Sequence, residues 1–560
     1  MLSHVTGPTD EPLLTMTIGA ALDQAAARWG GREALVDRGQ DVRLSWVALK
    51  ARCDAFARGL LALGLVPGDR IGIWSLNRVE WAITQFAAAK AGLILVTINP
   101  AYRLMELEYA LAESGCAAIV ISPAFKTSDY PAMIRTLVPE MAAAGAAPIA
   151  SARLPALRRV IEMEPGAGGG TIAFAAVEEA GRNASPSRLE TIAAAIGCDD
   201  AVNIQFTSGT TGSPKGVTLT HRNILNNGYF TGKGIRLGPE DRLCIPVPLY
   251  HCFGMVMGNL ACLTLGAAMV YPGEGFDPLA TLEAVERERC TALYGVPTMF
   301  IAELEHPRFS DYDLSSLRTG VMAGASCPIE VMRKVADRMH MSEVTICYGM
   351  TETSPVSFQS ATDDPLERRV STVGRVHPHV EVKIVDEAGD IVPKGMRGEL
   401  CTRGYSVMLG YWGRPEHTAS VKDADGWMHS GDLATIDEEG FCNIVGRLKD
   451  MVIRGGENLY PREIEEFLYR HPDVRDVQIF GVPDARYGEE LCAWVIPHDG
   501  RAFDADSLRR FCEGQIAHQK IPRYVKIVSE FPMTVTGKVQ KYLMRAAMIE
   551  ELGLEEPATA

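Results

Sequence analysis

The chain has 560 residues and a mass of 60.8 kDa, enough for three or four folding units at roughly 150 residues each. Apolar residues make up 47% and charged residues 22%, which excludes disordered, collagen-like and coiled-coil proteins. Acidic residues outnumber basic ones by 70 to 55, so the net charge is −15. Nucleic acids and anionic membranes are therefore poor partners for the chain as a whole, and any polyphosphate must be held by a local site.

The thirteen cysteines form no CxxC pair and no Cys/His cluster in the sequence, and several, such as Cys244 and Cys262, have apolar neighbours. This pattern favours buried reduced thiols over disulfides or a zinc site. The first thirty residues lack a basic start followed by an apolar stretch, so no signal peptide is visible. The longest apolar stretch, 255–270, is too short to span a bilayer. We therefore expect a cytoplasmic protein without an integral membrane segment.

The first third of the chain alternates predicted helices and strands. Ser45 can cap a helix whose apolar residues recur at steps of three and four, and the turn at 66–69 separates it from a strand at 70–75. Further helices and strands are predicted at 79–91, 93–98, 104–114 and 117–122. Such alternation is typical of α/β layers with a buried, largely parallel sheet. Residues 140–170, rich in Ala, Gly and Pro, are interpreted as a surface connection.

The α/β pattern resumes between residues 200 and 350. Short β segments between 373 and 446 then predict a smaller β subdomain. Beyond residue 447 the pattern predicts an independent α+β domain of about 110 residues, with helices near 461–470 and 505–518 and strands near 474–482 and 489–497.

The sharpest local signal is the stretch 207–216, which contains three glycines, five hydroxyl residues and one lysine. It follows an apolar segment, and its backbone N–H groups, hydroxyls and lysine could surround a phosphate. It is not a Walker A loop, because Pro214 precedes Lys215 and Gly216 follows it. A flexible Ser/Gly/Thr turn is the alternative interpretation.

A second signal, Tyr348-Gly349-Met350-Thr351-Glu352, directly follows a predicted strand. Ligands bind at strand ends in open α/β sheets, where a tyrosine ring can stack on a base, a threonine hydroxyl can reach a phosphate and a carboxylate can hold Mg²⁺. Taken alone, a Thr-Glu pair after a strand is more often the start of a helix.

Two further signals lie near the C-terminus. Asp432, in a His-Ser-Gly-Asp turn, could accept both hydroxyls of a ribose, and Arg447 could steady the same sugar or a phosphate. The turn Thr536-Gly537-Lys538 could carry a cation into another surface. The alternatives are a turn aspartate, a surface arginine and a solvated lysine.

In this order and spacing, the four motifs resemble those of the adenylate-forming superfamily of acyl-CoA synthetases, adenylation domains and beetle luciferases. The resemblance covers nearly the whole chain, and the stretches 246–254 and 349–355 resemble fatty-acyl-CoA synthetases, particularly medium-chain members. It implies an α/β fold with a large N-terminal domain, 1–447, of two α/β subdomains plus a β subdomain. A small α+β C-terminal lid domain, 448–560, would follow.

The resemblance also implies the residues of the site. The catalytic residues would be Lys538, Glu352, Thr351 and His251, with Glu352 holding Mg²⁺. The residues that bind ATP or AMP would be Thr207, Ser208, Gly209, Thr210, Thr211, Gly212, Lys215, Gly324, Ala325, Ser326, Tyr348, Gly349, Asp432 and Arg447. Lys449 would be the hinge of the lid. The CoA tunnel would be lined by Gly455, Gly456 and Glu457. The acyl pocket would be lined by Phe253, Met322, Ala323 and Met350, together with His251 and Gly324.

The implied activity is that of an ATP-dependent carboxylic acid–CoA ligase acting on a fatty, medium-chain or aryl acid, with ATP, Mg²⁺ and CoA. The acyl pocket offers no cation for a second carboxylate, which favours a monocarboxylic acid. Three alternatives stay open: an adenylation enzyme that loads a carrier protein, a luciferase-like oxidoreductase and a non-catalytic binding protein. A homodimer also stays open.

Overall fold

The structure is a computed structural model that describes residues 1–144, 147–164, 169–207, 214–325, 327–455, 457–484, 486–498, 500–501 and 503–554. Its first elements, in chain order, are β1 (His4–Thr6), α1 (Ile18–Trp29), β2 (Glu33–Asp37), β3 (Val42–Ser45), α2 (Trp46–Ala62), β4 (Arg70–Trp74), α3 (Val79–Lys90), β5 (Ile94–Thr97), α4 (Leu104–Ser114), β6 (Cys116–Ile121), β7 (Ala124–Phe125), β8 (Ser128–Asp129), α5 (Tyr130–Leu137), α6 (Met141–Ala144), β9 (Arg159–Glu162), β10 (Ile172–Ala173), α7 (Phe174–Asn183) and α8 (Ser187–Ala195).

The predicted alternation of the first third is confirmed. The Ser45 hydroxyl caps α2 by accepting a hydrogen bond from the Ala48 N–H at 3.2 Å. The strands enter an eight-stranded sheet in the order β10-β9-β6-β4-β5, which continues into three strands described below. Its five pairs from β10 to β11 are parallel. The sheet is therefore of the buried, largely parallel type that the sequence predicts.

The interpretation of residues 140–170 as surface connection is wrong for β9. This strand lies inside the parallel sheet, between β6 and β10, and its Val160 and Ile161 side chains are fully buried. The Ala/Gly-rich sequence on either side hides a four-residue apolar strand, which is too short to produce a clear periodic signal.

The middle of the chain builds a second α/β layer and a β subdomain. Its elements are β11 (Ala201–Thr207), β12 (Lys215–Thr220), α9 (His221–Gly234), β13 (Arg242–Cys244), a π-helix (Phe253–Leu260), α10 (Ala261–Leu265), β14 (Ala268–Tyr271), α11 (Pro278–Glu288), β15 (Ala292–Gly295), α12 (Pro297–Leu304), a 3₁₀ turn (Phe309–Asp311), β16 (Thr319–Met322), α13 (Ile329–Arg338), β17 (Glu343–Gly349), a second 3₁₀ turn (Thr351–Thr353), β18 (Val356–Gln359), α14 (Leu366–Ser371), β19 (Arg375–Val376), β20 (Val380–Val385), β21 (Gly398–Gly404), β22 (Gly410–Tyr411), α15 (Pro415–Ala419), β23 (Met428–Ile436) and β24 (Cys442–Arg447).

Two more sheets arise from these strands. A nine-stranded sheet has the order β19-β18-β17-β16-β15-β13-β14-β2-β3, and its pairs from β17 to β2 are parallel. The eight-stranded sheet is completed by β11, β12 and β22. The antiparallel sheet β1-β20-β21-β23-β24 forms the predicted β subdomain.

The C-terminal part is a small α+β domain, which we call the lid. It comprises β25 (Val452–Arg454), β26 (Glu457–Leu459), α16 (Pro461–Leu468), β27 (Val474–Asp484), β28 (Gly488–Pro497), α17 (Ala505–Cys512), a 3₁₀ turn (His518–Lys520), β29 (Tyr524–Ile527) and α18 (Lys541–Leu552). Helix α17 ends six residues before the predicted limit of 518. Gly514 follows it with φ +72°, a conformation that does not continue a right-handed helix.

The predicted fold is confirmed as a large α/β domain with a β subdomain and a small α+β lid. All thirteen cysteines are free thiols, and every one except Cys198 is buried. Within the described ranges, no helix is both long enough and apolar enough to cross a membrane.

Candidate active site

Several of the predicted site residues lie at the carboxyl ends of parallel strands. Strands β15, β16 and β17 are parallel neighbours in the nine-stranded sheet, so their carboxyl ends share one edge. The residues that follow them are Val296, Ala323 and Met350. Because backbone N–H and C=O groups are unpaired beyond a strand end, this edge is where an α/β sheet binds ligands. The sequence therefore positions these loops through the topology of the sheet.

The two ends of the predicted phosphate loop are close together. The Thr207 hydroxyl lies 3.4 Å from the Lys215 carbonyl oxygen, across the antiparallel pair β11–β12. The Tyr109 hydroxyl donates to the Pro214 carbonyl at 2.9 Å, which fixes the start of β12 from the side. The Lys215 ammonium lies 5.1 Å from the centre of the Tyr411 ring. The loop residues Ser208, Gly209, Thr210, Thr211 and Gly212 lie outside the described residues.

Thr351 and Glu352 lie on the short 3₁₀ turn after β17, and both are buried. The Glu352 carboxylate accepts a hydrogen bond from the Tyr411 hydroxyl at 2.9 Å, and its backbone carbonyl accepts one from the Met408 N–H at 2.9 Å. Carboxylate oxygens are ligands that Mg²⁺ prefers, so this residue fits the predicted metal role. Tyr411 is 59 residues away from Glu352 in the chain and carries no local sequence signal, so its place in the site could not be predicted.

The structure brings Asp432 and Arg447 together. They are directly opposite each other on the antiparallel strands β23 and β24, with the Arg447 Nε 3.2 Å from an Asp432 carboxylate oxygen. The other carboxylate oxygen accepts a hydrogen bond from the Tyr348 hydroxyl at 2.5 Å. Burial raises the pKa of Asp432, whereas the Arg447 charge lowers it. These three residues therefore form one connected polar group between β17 and the β subdomain.

The turn that presents Asp432 is held by Glu399. One Glu399 oxygen lies 2.9 Å from His429 Nδ1, and the other accepts a hydrogen bond from the Gly431 N–H at 3.1 Å. Gly431 has φ +70°, which glycine adopts without strain. Although the sequence shows no Cys/His cluster, Cys401 lies opposite His429 on β21, with its sulfur 3.5 Å from Nδ1. Pairing across the sheet creates this contact.

Lys538 of the lid lies in the electrostatic field of the large-domain site. Burial lowers its pKa and the Arg447 charge lowers it further, while the carboxylates of Glu352 and Asp432 act in the opposite direction. Its turn is closed by the Thr534 N–H, which donates to the Lys538 carbonyl at 2.8 Å. Gly537 has φ +76°, so the turn is one that favours glycine.

This Lys538 turn packs on the large domain. A Cβ atom built on Gly537 would lie 2.8 Å from Cγ2 of Val296, the residue that precedes α12. A Cβ atom on Gly324 would lie 3.1 Å from the other methyl group of Val296, and Gly324 itself has φ +90°. Burial raises the pKa of the Tyr250 hydroxyl, and the Thr536 side chain of the lid acts in the opposite direction. The lid therefore reaches the predicted adenine–acyl junction.

His251 lies two residues before the first residue of the π-helix. Burial lowers its pKa to about 3, and the Lys538 charge acts in the same direction, so the imidazole is neutral at neutral pH. Helices with i→i+5 hydrogen bonds are frequent at functional sites. Phe253 is the first residue of this π-helix, and its ring lies 5.4 Å from that of Tyr294.

The structure corrects the acyl pocket at one position. Phe253 and Ala323 belong to the same buried core cluster, and Met350 packs against it. Met322 belongs to a different cluster, together with Phe300. Since side chains alternate between the two faces of a strand, Met322 on β16 points away from the face to which Ala323 belongs. We therefore remove Met322 from the pocket.

The remaining predictions concern the start of the lid and the adenine loop. Lys449 lies in the turn between β24 of the β subdomain and β25 of the lid. Gly455 has φ +61° and donates its N–H to the Tyr487 carbonyl at 2.8 Å, and Glu457 accepts a hydrogen bond from Gln519 at 2.8 Å. Both contacts are internal to the lid. Ala325 is exposed, while Ser326 and Gly456 lie outside the described residues.

Comparison with known families agrees with this geometry. Residues 22–412 match the family described as AMP-binding enzyme, and residues 463–538 match the AMP-binding enzyme C-terminal domain. The chain belongs to the AMP-binding enzyme family. The first match covers both α/β layers as far as β22, and the second lies wholly within the lid.

Full-length relatives of this AMP-binding enzyme are named as acyl-CoA synthetases or ligases. The chain is 47% identical to YngI of Bacillus subtilis (strain 168), whose name places it among acyl-CoA synthetases, over 97% of this chain and 99% of that protein. It is 44% identical to the human mitochondrial medium-chain acyl-CoA ligase ACSF2, over 99% of this chain and 91% of that protein.

Among solved structures, ATP-bound MatB from Rhodopseudomonas palustris matches this AMP-binding enzyme with a TM-score of 0.82 and 29% identity, over 96% of this chain and 100% of that one. Unliganded MatB matches with a lower TM-score, 0.71, over 97% of this chain and 100% of that one.

Proposed function

We propose that this enzyme is an ATP-dependent carboxylic acid–CoA ligase. It activates a medium-chain fatty acid as acyl-AMP with release of pyrophosphate, and then transfers the acyl group to CoA with release of AMP. The observation that carries this proposal is the packing of the Lys538 turn of the lid on Val296 of the large domain, where Arg447 lowers the pKa of the buried lysine and Glu352 and Asp432 raise it. The first step requires a cation at the place where the two anionic substrates, the acid and ATP, meet.

The first step brings two anions together, because the acid must attack the α-phosphorus of ATP. Negative charge then grows on the phosphate oxygens and on the departing pyrophosphate. A cation at about 4 Å in a medium of effective dielectric near 20 is worth roughly 4 kcal/mol for each such charge. Lys538 supplies this cation at the α-phosphate, beside the Thr351 hydroxyl, while the loop from Thr207 to Lys215 holds the β- and γ-phosphates.

Glu352 holds Mg²⁺ in this proposal. Tyr411 donates to one oxygen of its carboxylate, which orients the group, and a carboxylate is an oxygen ligand of the kind that Mg²⁺ takes. Mg²⁺, when bound, supplies positive charge to the polyphosphate. The adenine lies against the segments 324–326 and 348–349, and the ribose hydroxyls donate to Asp432 beside Arg447.

The second step requires a different arrangement, since the CoA thiol must reach the acyl-AMP carbonyl that Lys538 shields. We propose that the lid, 448–560, turns about Lys449 relative to the large domain, 1–447. Gly455, Gly456 and Glu457 then line the path of the pantetheine arm, and His251 gates this path as a neutral imidazole. The lid-internal contacts of Gly455 and Glu457 fit an arrangement in which they await this rotation.

The substrate class is supported by the apolar lining at Phe253, Ala323 and Met350 and by the names of the full-length relatives. The free thiols support a reducing compartment, and we place the enzyme in the cytoplasm and in fatty acid metabolism.

The test is AMP release over a panel of acids from acetate to palmitate plus aryl acids, with and without CoA. We expect AMP only with acid, ATP, Mg²⁺ and CoA together, and a maximum between the two ends of the aliphatic series. Acid-dependent pyrophosphate exchange without CoA-dependent AMP release would favour a carrier-protein adenylation enzyme. Light emission with ATP and a luciferin would favour a luciferase.

A further inference from the structure

Helix α12 contacts the lid at both of its ends. At its start, Val296 and Thr298 face the Lys538 turn, since a Cβ atom on Gly537 would lie 2.8 Å from the first and 3.3 Å from the second. At its end, Glu305 faces two lid residues: its carboxylate oxygens lie 3.7 Å from Arg475 Nε and 3.3 Å from His498 Nδ1. With eight residues at 1.5 Å each, the helix separates the two contacts by about 12 Å.

The position of Glu305 is unfavourable within its own domain. It is the C-cap residue of α12, where the exposed carbonyl groups concentrate negative potential that repels a carboxylate. The partners that offset this cost belong to the lid. Arg475 lies near the start of β27. His498 directly follows β28, and its backbone N–H donates to the Asp473 carbonyl at 3.0 Å. Both partners therefore sit at one end of the same antiparallel ladder.

A cleft lies beside this contact, and its lining includes the apolar side chains of Ile301, Leu304 and Val331. It has a volume of about 420 Å³ and lies between α12, α13 and the lid. Its lining includes further cations from both domains, namely Lys334, Arg338 and Arg470. The contact at Glu305 bridges the two domains beside this cleft, in addition to the hydrogen bond that Arg462 of the lid donates to the Ile444 carbonyl at 2.7 Å.

We propose that Glu305 is a positioning residue for the first half-reaction: its contact with Arg475 and His498 is the outer of two docking points on α12 that together keep Lys538 in the site. A second contact about 12 Å from the one at Gly537 restricts the orientation of the lid on α12. This inference rests on the proposed ligase function. The contact must break when the lid turns, so Glu305 favours adenylation over thioester formation.

The test compares four variants in single-turnover assays of acyl-AMP formation and of thioester formation from pre-made acyl-AMP. Glu305→Gln should slow the first step by about two- to fivefold, as expected for a partly exposed ion pair. Glu305→Lys should slow it by about tenfold or more, because a cation then faces the Arg475 guanidinium in place of a carboxylate. Adding Arg475→Glu to Glu305→Lys should restore most of the loss. Thioester formation should be unchanged or faster in the Glu305 variants.

The matched control is Glu330→Gln. Glu330 lines the same cleft but pairs with Arg333 of its own helix at 2.8 Å, so its loss should leave both half-reactions unchanged. Equal damage to both steps by Glu305→Lys, unchanged acyl-AMP formation, or failure of Arg475→Glu to restore activity would overturn the proposal.

Hydrogen exchange without substrates provides a readout that needs no activity. Glu305→Lys should increase exchange in the lid segment 468–477, which faces α12, and Glu330→Gln should not. If the wild-type protein forms no acyl-CoA, the proposed ligase function fails while this measurement still tests the contact. Unchanged exchange in Glu305→Lys would refute the docking role whatever the reaction proves to be.

Discussion

The Tyr411 hydroxyl lies 2.9 Å from the Glu352 carboxylate, and the same ring lies 5.1 Å from the Lys215 ammonium. One buried aromatic side chain thus connects the carboxylate proposed to hold Mg²⁺ with the lysine at the end of the phosphate loop. Tyr411 belongs to β22, which pairs with β12, so its place beside Lys215 is set by the sheet. This arrangement leads to the first prediction.

Tyr411→Phe should weaken metal binding in the presence of ATP. The variant loses one hydrogen bond to a charged group, worth roughly 1.5–3 kcal/mol, and with it the orientation of the Glu352 carboxylate. We expect the apparent affinity for Mn²⁺, measured by electron paramagnetic resonance with ATP, to fall by about tenfold or more. Tyr405→Phe is the control, since among the described residues that hydroxyl has a hydrogen-bond contact only with Asn227, at 3.5 Å. Equal Mn²⁺ affinities in wild type and Tyr411→Phe would contradict the prediction.

Glu352→Gln should abolish most MgATP use without unfolding the protein. A neutral amide cannot replace the charge of the carboxylate toward a divalent cation, although it can still accept the Tyr411 hydrogen bond. We expect the rate of acyl-AMP formation to fall strongly while the thermal midpoint of unfolding stays near that of the wild type. The measurement is a Mg²⁺ and Mn²⁺ titration of the rate. Full turnover of the wild type in excess chelator would show that the metal assignment is wrong.

Lys538→Ala should damage only the first half-reaction. Removal of the cation that meets the growing phosphate charge should slow acyl-AMP formation by roughly two to four orders of magnitude. Thioester formation from pre-made acyl-AMP and CoA should stay near the wild-type rate, because the lysine has then left the site.

Lys449→Pro should produce the converse pattern, since proline fixes φ at the proposed pivot and prevents rotation of the lid. The measurement is the single-turnover rate of acyl-AMP formation and of thioester formation for each variant. A two-position lid is wrong for this enzyme if Lys538→Ala slows both steps alike or if Lys449→Pro slows neither.

Glu303→Gln should change how stability depends on pH. Glu303, on α12, is 1% exposed, and within the described part of the chain neither of its carboxylate oxygens has a hydrogen-bond partner. Burial raises its pKa well above the ordinary value. The folded state therefore keeps the proton while the unfolded chain releases it above about pH 4.5, so stability falls as pH rises, by about 1.4 kcal/mol per unit until the raised pKa is reached.

The glutamine variant lacks this ionisation, so its unfolding midpoint should exceed that of the wild type by a margin that grows as the pH rises above about 4.5. Glu330→Gln, at an exposed ion pair on α13, should show no such growth. The measurement is the thermal midpoint of each protein across this range. A constant difference between Glu303→Gln and wild type would mean that Glu303 is not the titrating group.

Local signals predicted the local structure well. Ser45 caps its helix as expected, and the Tyr348–Glu352 motif lies at the carboxyl end of a strand, although Tyr348 and Gly349 are the last two residues of that strand and do not follow it. The antiparallel pairing of Asp432 with Arg447 also agrees with the idea that the two act together. For the first two, the decisive information lies within a few residues, and Asp432 and Arg447 lie on strands that are consecutive in the chain and paired in the sheet.

Contacts between distant segments could not be predicted in this way. Tyr411 reaches Glu352 across 59 residues, and His498 reaches Glu305 across the boundary between domains. Neither pair has a spacing that a pattern could reveal, because sheet order and lid docking create both contacts. Met322 is a different case, since the alternation of side chains along a strand already separates it from Ala323.

The two methyl groups of Val296 face different parts of the enzyme. One abuts Gly324, at the proposed adenine–acyl junction, and the other abuts Gly537, beside Lys538. A smaller residue here would admit a bulkier acid but would also leave the lysine turn without support, and a larger one would press on both glycines. A substitution of Val296 that changes the range of acids therefore also changes how the lid packs on the large domain. Selection or engineering for a new acid at this position then requires a compensating substitution in the lid.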